Sequence, residues 1–148
     1  MASHLRGLLP PCPIAKEAAL SPKRIQLSRR KGWRMPQNTV KVDRSTKWGN
    51  PFVADSEGVA MECVPLGLDG EDRIDRATAS VDLFRRWLTG GKVNELIAAF
   101  LPRPKGPPPA FRLIQRDLRG KNLACWCKLD APCHADVLLE IANRGDKP

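Results

Sequence analysis

Within "LACWCKLDAPCHADVLLEIAN", residues 123–143, three cysteines and a histidine fall between Cys125 and His134. Thiolates and imidazoles are ligands for borderline metals, and a thiol beside an imidazole is also the make-up of an activated nucleophile. On a strand, Cys125 and Cys127 share one face and Trp126 takes the other, so Trp126 is expected to pack into a layer while both thiols face the opposite way. Pro132 suits the first turn of a final helix running to Asn143, with Asp130 or Ala131 as its cap. Cys133 would then lie in the first turn, where free amides and the helix dipole can bring a thiol pKa from about 8.5 to roughly 3.5–7.5. His134, Val137, Leu138 and Ile141 recur at helical spacing, which puts His134 on the face that docks on a sheet.

Three chemistries remain open for this group. A zinc site of Cys125, Cys127, Cys133 and His134 has the ligand set of a Cys₃His centre, although C-x-C followed by five residues and C-H departs from the usual C-x₂-C knuckle. A reactive thiolate on Cys133 or Cys127, with His134 as base or orienting partner, makes those three the catalytic candidates. In the third, buried cysteines act as small hydrophobes and His134 satisfies a backbone carbonyl.

A second constellation is "VDRSTKWGNPF", residues 42–52. Arg44, Ser45 and Lys47 offer donors for a phosphate, Trp48 a flat face for stacking, Gly49 a close backbone approach, and Asn50 an amide for a base edge. The structural alternative has Trp48 and Phe52 plugging the core, Asn50-Pro51 forming a turn, and Arg44 paired with Asp43 or Asp136. If both motifs reach one edge of a sheet, Arg44, Lys47 and Asn50 would face Cys127, Cys133 and His134 across a single cleft.

The elements that must position these groups suggest a small single-domain α/β layered fold, with a few short strands flanked by helices. A strand is expected around Val40 and Val42, then an irregular connection from Glu57 to Glu71 set by Gly58, Pro65, Gly67 and Gly70. Ala77, Val81, Phe84 and Leu88 predict a helix over Asp75–Leu88, widened by Leu83 and Trp87 and ended by Gly90-Gly91. A shorter helix is expected over Val93–Leu101, with Leu96, Ile97 and Phe100 on one face. The proline-rich loop 102–110 follows, then a short helical turn and a strand over Asn122–Trp126. The domain is expected to occupy residues 23–143, between a flexible basic extension at 1–22 and a tail at 144–148.

Charge is lopsided. Lys and Arg total 25 against 16 Asp and Glu, a net +9. Met1 to Trp48 carries eleven of the basic residues and two of the acidic ones, so that stretch holds the whole excess. Such a field favours polyanionic partners, a nucleotide or a nucleic acid. Five cysteines, an odd number, and the lack of an apolar leader suggest free thiols in a reducing, cytoplasmic setting. No run approaches the roughly eighteen apolar residues of a membrane span, so no membrane partner is expected.

"KGWRMP", "VDRSTKWGNPF", the "LFRRWL" segment and "LRGKNLACWCKLDAPCHADVLLEIAN" together resemble the domain of unknown function family numbered 4326, found in bacteria and in phages, actinobacteriophages among them. The cysteine segment is similar, more weakly, to an uncharacterised family numbered 488. The resemblance carries no reaction. It implies weight on Trp33, Pro36, Arg44, Lys47, Trp48, Gly49, Asn50, Pro51, Phe52, Cys125, Trp126, Cys127, Cys133, His134 and Asp136, and it leaves the leader and the proline-rich loop outside the pattern. Two functions are therefore expected as alternatives. One is an enzyme processing a nucleotide, nucleobase or nucleic acid, with zinc a possible cofactor; the other is a non-catalytic nucleic-acid-binding module with a structural zinc or a packed cysteine cluster. No Walker, G-x-G-x-x-G or H-E-x-x-H motif and no carboxylate pair identifies a reaction.

Overall fold

Two short outer strands flank the apolar stretch Asn122–Cys125, which is buried at three of its four positions and forms the middle of a parallel sheet. The computed structural model describes residues 21–145, so most of the expected extension at 1–22, and 146–148 of the expected tail, lie outside the described residues. The strands are β1 (Arg24–Gln26), β2 (Thr39–Lys41) and β3 (Asn122–Cys125), in the order β1-β3-β2. Ile25 pairs with Ala124 and Val40 with Leu123. The ladder runs one residue past each outer strand, with Leu27 N–H donating to Cys125 O and Val42 N–H to Ala124 O, both at 2.8 Å. Sequence reasoning missed β1, whose three residues are too few and too polar to show an alternating pattern.

The helices are α1 (Glu57–Cys63), α2 (Arg73–Thr89), α3 (Glu95–Ala98), α4 (Phe111–Leu118) and α5 (His134–Ala142). The long predicted helix is α2. Asp72 caps it by accepting from Ile74 N–H at 2.9 Å and Asp75 N–H at 3.0 Å, and Gly90, at φ +75°, ends it in the left-handed conformation. Ala79, Leu83, Phe84 and Leu88 bury its inner face, and Ser80 is the polar member of that stripe.

Two expectations fail here. The connection at 57–71 contains a helix, because Gly58 is a packing residue and not a breaker: a Cβ there would come within 2.7 Å of the Phe100 backbone. Conversely, the helix expected over Val93–Leu101 shrinks to one turn. Ile97 alone in that turn is buried, while Leu96 is 66 % exposed and Phe100 46 %, so little burial is left to extend the helix beyond the turn that meets α1.

α5 packs on β3 and against α2 and α4. Its apolar face, Val137, Leu138 and Ile141, joins Leu123, Leu83, Phe84, Ile114 and Leu118 in one core, which Val42, Trp48 and Phe52 enter from the β2 side. The helix starts later than expected: Cys133 is its N-cap, with extended backbone (φ −146°, ψ 144°), and Pro132 lies before it instead of in its first turn. Among the described residues no helix is long and apolar enough to cross a membrane.

Candidate functional site

All three strands are parallel, so the segments that follow them leave the sheet at one edge, where ligands of open α/β sheets normally lie. After β2 comes the 42–52 loop; after β3 comes Trp126-Cys127 and the turn into α5. Arg24 clamps that turn. Its guanidinium donates to the Lys128 and Leu129 carbonyls at 2.9 and 2.7 Å and to Asp136 Oδ2 at 3.0 Å. Asp136 thus belongs to Arg24 and not to Arg44.

The 42–52 loop is organised by Asp43. Its buried carboxylate accepts from Ser45 Oγ at 2.6 Å and from Trp126 Nε1 at 2.9 Å, and it pairs with Lys41 Nζ at 3.3 Å. Burial alone would raise its pKa, but the hydrogen bonds from Ser45, Trp126 and Lys41 outweigh it and hold the group below the ordinary carboxylate value. Gly49 is needed because the loop folds back on itself: a Cβ would lie 2.5 Å from Arg44 Cα and 2.8 Å from the Asp43 carbonyl oxygen. The close approach expected of Gly49 is therefore made by the chain's own backbone.

Asn50 is spent on structure as well. Its Nδ2 donates to Ser80 Oγ at 2.9 Å and its Oδ1 accepts from Phe52 N–H at 2.8 Å, while Ser80 Oγ donates to the Phe52 carbonyl at 2.5 Å. The two tryptophans exchange the roles expected of them. Trp48 is 4 % exposed in the core, with Lys47 Nζ 4.6 Å from its ring centroid, so it offers no open face for stacking. Trp126, expected to pack into a layer, is 41 % exposed, with the Arg29 guanidinium 4.7 Å from its ring centroid. Lys47 pairs with Asp117 at 3.3 Å.

On the β3 side the thiols converge. Cys125 Sγ lies 3.7 Å from Cys127 Sγ, and Cys133 Sγ lies 3.7 Å from His134 Nδ1. A ligand atom from each of Cys125, Cys133 and His134, all buried, falls within 4.8 Å of the other two. Hydrogen bonds from Cys127 and then Cys133 lower the Cys125 pKa against the opposing effect of burial, and the same bonds raise Cys127 and Cys133. His134 Nε2 sits 2.6 Å from the Val42 carbonyl oxygen, which can only accept, so Nε2 carries the hydrogen and Nδ1 presents a lone pair toward Cys133. Burial lowers the His134 pKa and favours this neutral ring.

These groups line one cavity of about 400 Å³. Arg44, Ser45 and Asn50 contribute from one motif and Cys125, Cys127, Cys133 and His134 from the other, with Asp43 and Trp126 between them and Ala77, Ser80 and Val81 of α2 opposite. Lys47 and Trp48 do not line it; Lys47 faces an adjacent groove with Arg103 and Lys105. Arg44 is exposed and, among the described residues, forms no hydrogen bond or ion pair. Asp43 entered the sequence reading only as a pairing partner for Arg44, and Ser80 did not enter it. The signal for Asp43 was the carboxylate two residues before a serine at a strand end, an Asx-turn pattern, and for Ser80 the polar side chain inside an apolar helical stripe.

In comparisons with known proteins, the family model described as Domain of unknown function (DUF4326) matches residues 25–144. No curated protein and no solved structure matches the chain.

Proposed function

Because the chain belongs to the DUF4326 family, whose description names no reaction, we propose a function from the cavity itself: an enzyme that processes a nucleotide or nucleobase. The observation carrying this reading is that both motif loops line one cavity. Its volume, about 400 Å³, falls in the range of small-molecule sites. Arg44 is the phosphate ligand, a guanidinium at the rim with no partner of its own among the described residues. Trp126, held edge-on by Asp43, is the stacking surface in place of Trp48. The Cys125, Cys127, Cys133 and His134 cluster forms the inner end, where Cys127 is the least buried of the three thiols, and Asn50 and Ser45 shape the wall.

Calorimetric titration with a nucleoside, its monophosphate and a short single-stranded oligonucleotide tests this. The monophosphate should bind more tightly than the nucleoside, and Arg44→Ala should remove about tenfold or more of that preference, as expected for a charge-assisted hydrogen bond. Trp126→Ala should weaken both ligands. Absence of binding by nucleoside and monophosphate at millimolar concentration would overturn the small-molecule reading. The exposed Arg29, Arg30, Lys31 and Arg34 in the β1–β2 connection favour a second reading, a strand-binding module without turnover. Oligonucleotide binding alone, with log affinity falling against log salt by roughly 0.7 for each phosphate neutralised on a single strand, would select it.

A further inference from the structure

We propose that Cys125, Cys127, Cys133 and His134 form a tetrahedral zinc site, ligated through three sulfurs and His134 Nδ1. This goes beyond the nucleotide reading and stands independently of it. Zn–S bonds of about 2.3 Å at tetrahedral angles put two sulfurs roughly 3.8 Å apart, and a sulfur and an imidazole nitrogen roughly 3.6 Å apart. Cys125, Cys133 and His134 offer ligand atoms all within 4.8 Å of one another, with Cys133 Sγ 3.7 Å from His134 Nδ1, and Cys127 joins them through Cys125, the two sulfurs lying 3.7 Å apart.

Adjacent cysteine and histidine on a helix would diverge, which is the difficulty the C-H dipeptide poses for a metal site. Here Cys133 is the N-cap in extended backbone and His134 the first helical residue, so the two side chains meet. The Cys133 sulfur also accepts from Ala135 N–H at 3.5 Å, a donor of the kind that supports a thiolate ligand. The Val42 carbonyl supplies the outer partner of the histidine, holding Nε2–H at 2.6 Å and leaving Nδ1 for the metal. Three soft sulfurs with one imidazole select zinc over harder divalent ions. Cys127, half-buried and lining the cavity, is the ligand nearest the open space.

The test uses the full chain, purified under reducing conditions without added metal. Elemental analysis should find about one zinc per chain. Three thiols should resist alkylation until a chelator is added, while Cys63→Ser, which removes a buried thiol outside the cluster, should leave both results unchanged. Cobalt exchanged into the wild-type protein should give tetrahedral ligand-field bands and a thiolate charge-transfer band, the latter losing about a third of its intensity in Cys127→Ser as three sulfurs become two. A folded wild-type protein with neither zinc nor a cobalt spectrum, after equimolar metal is supplied, would overturn the proposal; it needs no variant to fold. Full charge-transfer intensity in Cys127→Ser would overturn the four-ligand set. Nucleotide plays no part in these readouts, so zinc without nucleotide binding sinks only the earlier reading, and the reverse result sinks only this one.

Discussion

Asp43 joins the two halves of the cavity, since one carboxylate holds both the Ser45 hydroxyl of its own loop and the Trp126 indole of the other. Asp43→Asn replaces an acceptor of near-identical shape with a group that turns a donor toward donors. With the site buried, the loss at pH 7 should be about 1–3 kcal/mol, read as a shift in the urea midpoint. The native pKa lies below the ordinary 3.8, so the carboxylate's contribution is complete above that value and disappears as pH falls through the native pKa. The gap between wild type and variant should therefore narrow below about pH 3.8; a gap constant with pH would show that the charge plays no part. Which residues carry polar or soft chemistry was legible in sequence, and the cysteines, His134, Arg44 and Asn50 do line one cavity. Which tryptophan is buried was not. Trp48 and Trp126 differ in depth because the 42–52 loop folds inward over α2 while Trp126 follows the last sheet residue, and that is a tertiary fact with no local signature.

Among the helices, α5 carries the site and α3 carries almost nothing. Leu138 is wholly buried among Leu83, Phe84 and Leu123, and Leu138→Ala should cost about 2–5 kcal/mol through lost burial and the cavity left behind. Leu96→Ala on α3 should fall within about 0.5 kcal/mol of wild type, because most of that side chain already faces water. Equal effects in denaturant titrations would contradict the packing described for one of the two helices. Long periodic segments were legible, since α2 and α5 follow from their apolar spacing, and β3 follows from its short apolar run. The remainder escaped for physical reasons. β1 is too short to display a period, α1 hides behind a glycine whose role is close contact with Phe100, and of the apparent stripe Leu96, Ile97 and Phe100 only Ile97 is buried.

At the scale of the molecule, the sheet edge gathers the cavity, the thiols and a border of exposed cations that includes Arg29 and Arg44. The three segments that build it lie far apart along the chain and meet only through β3. β1 and β2 each hydrogen-bond to β3 and not to each other. Nearly all of the helical layer is translated between β2 and β3, so the order of synthesis leaves both outer strands without a partner until Asn122–Cys125 has left the ribosome. A nascent chain arrested before Asn122 should be cut readily by protease in the 24–52 region, and one released after α5 should resist. The middle strand is thus the last to be made, and the birth of the sheet and of the thiol cluster is a single late event on the ribosome.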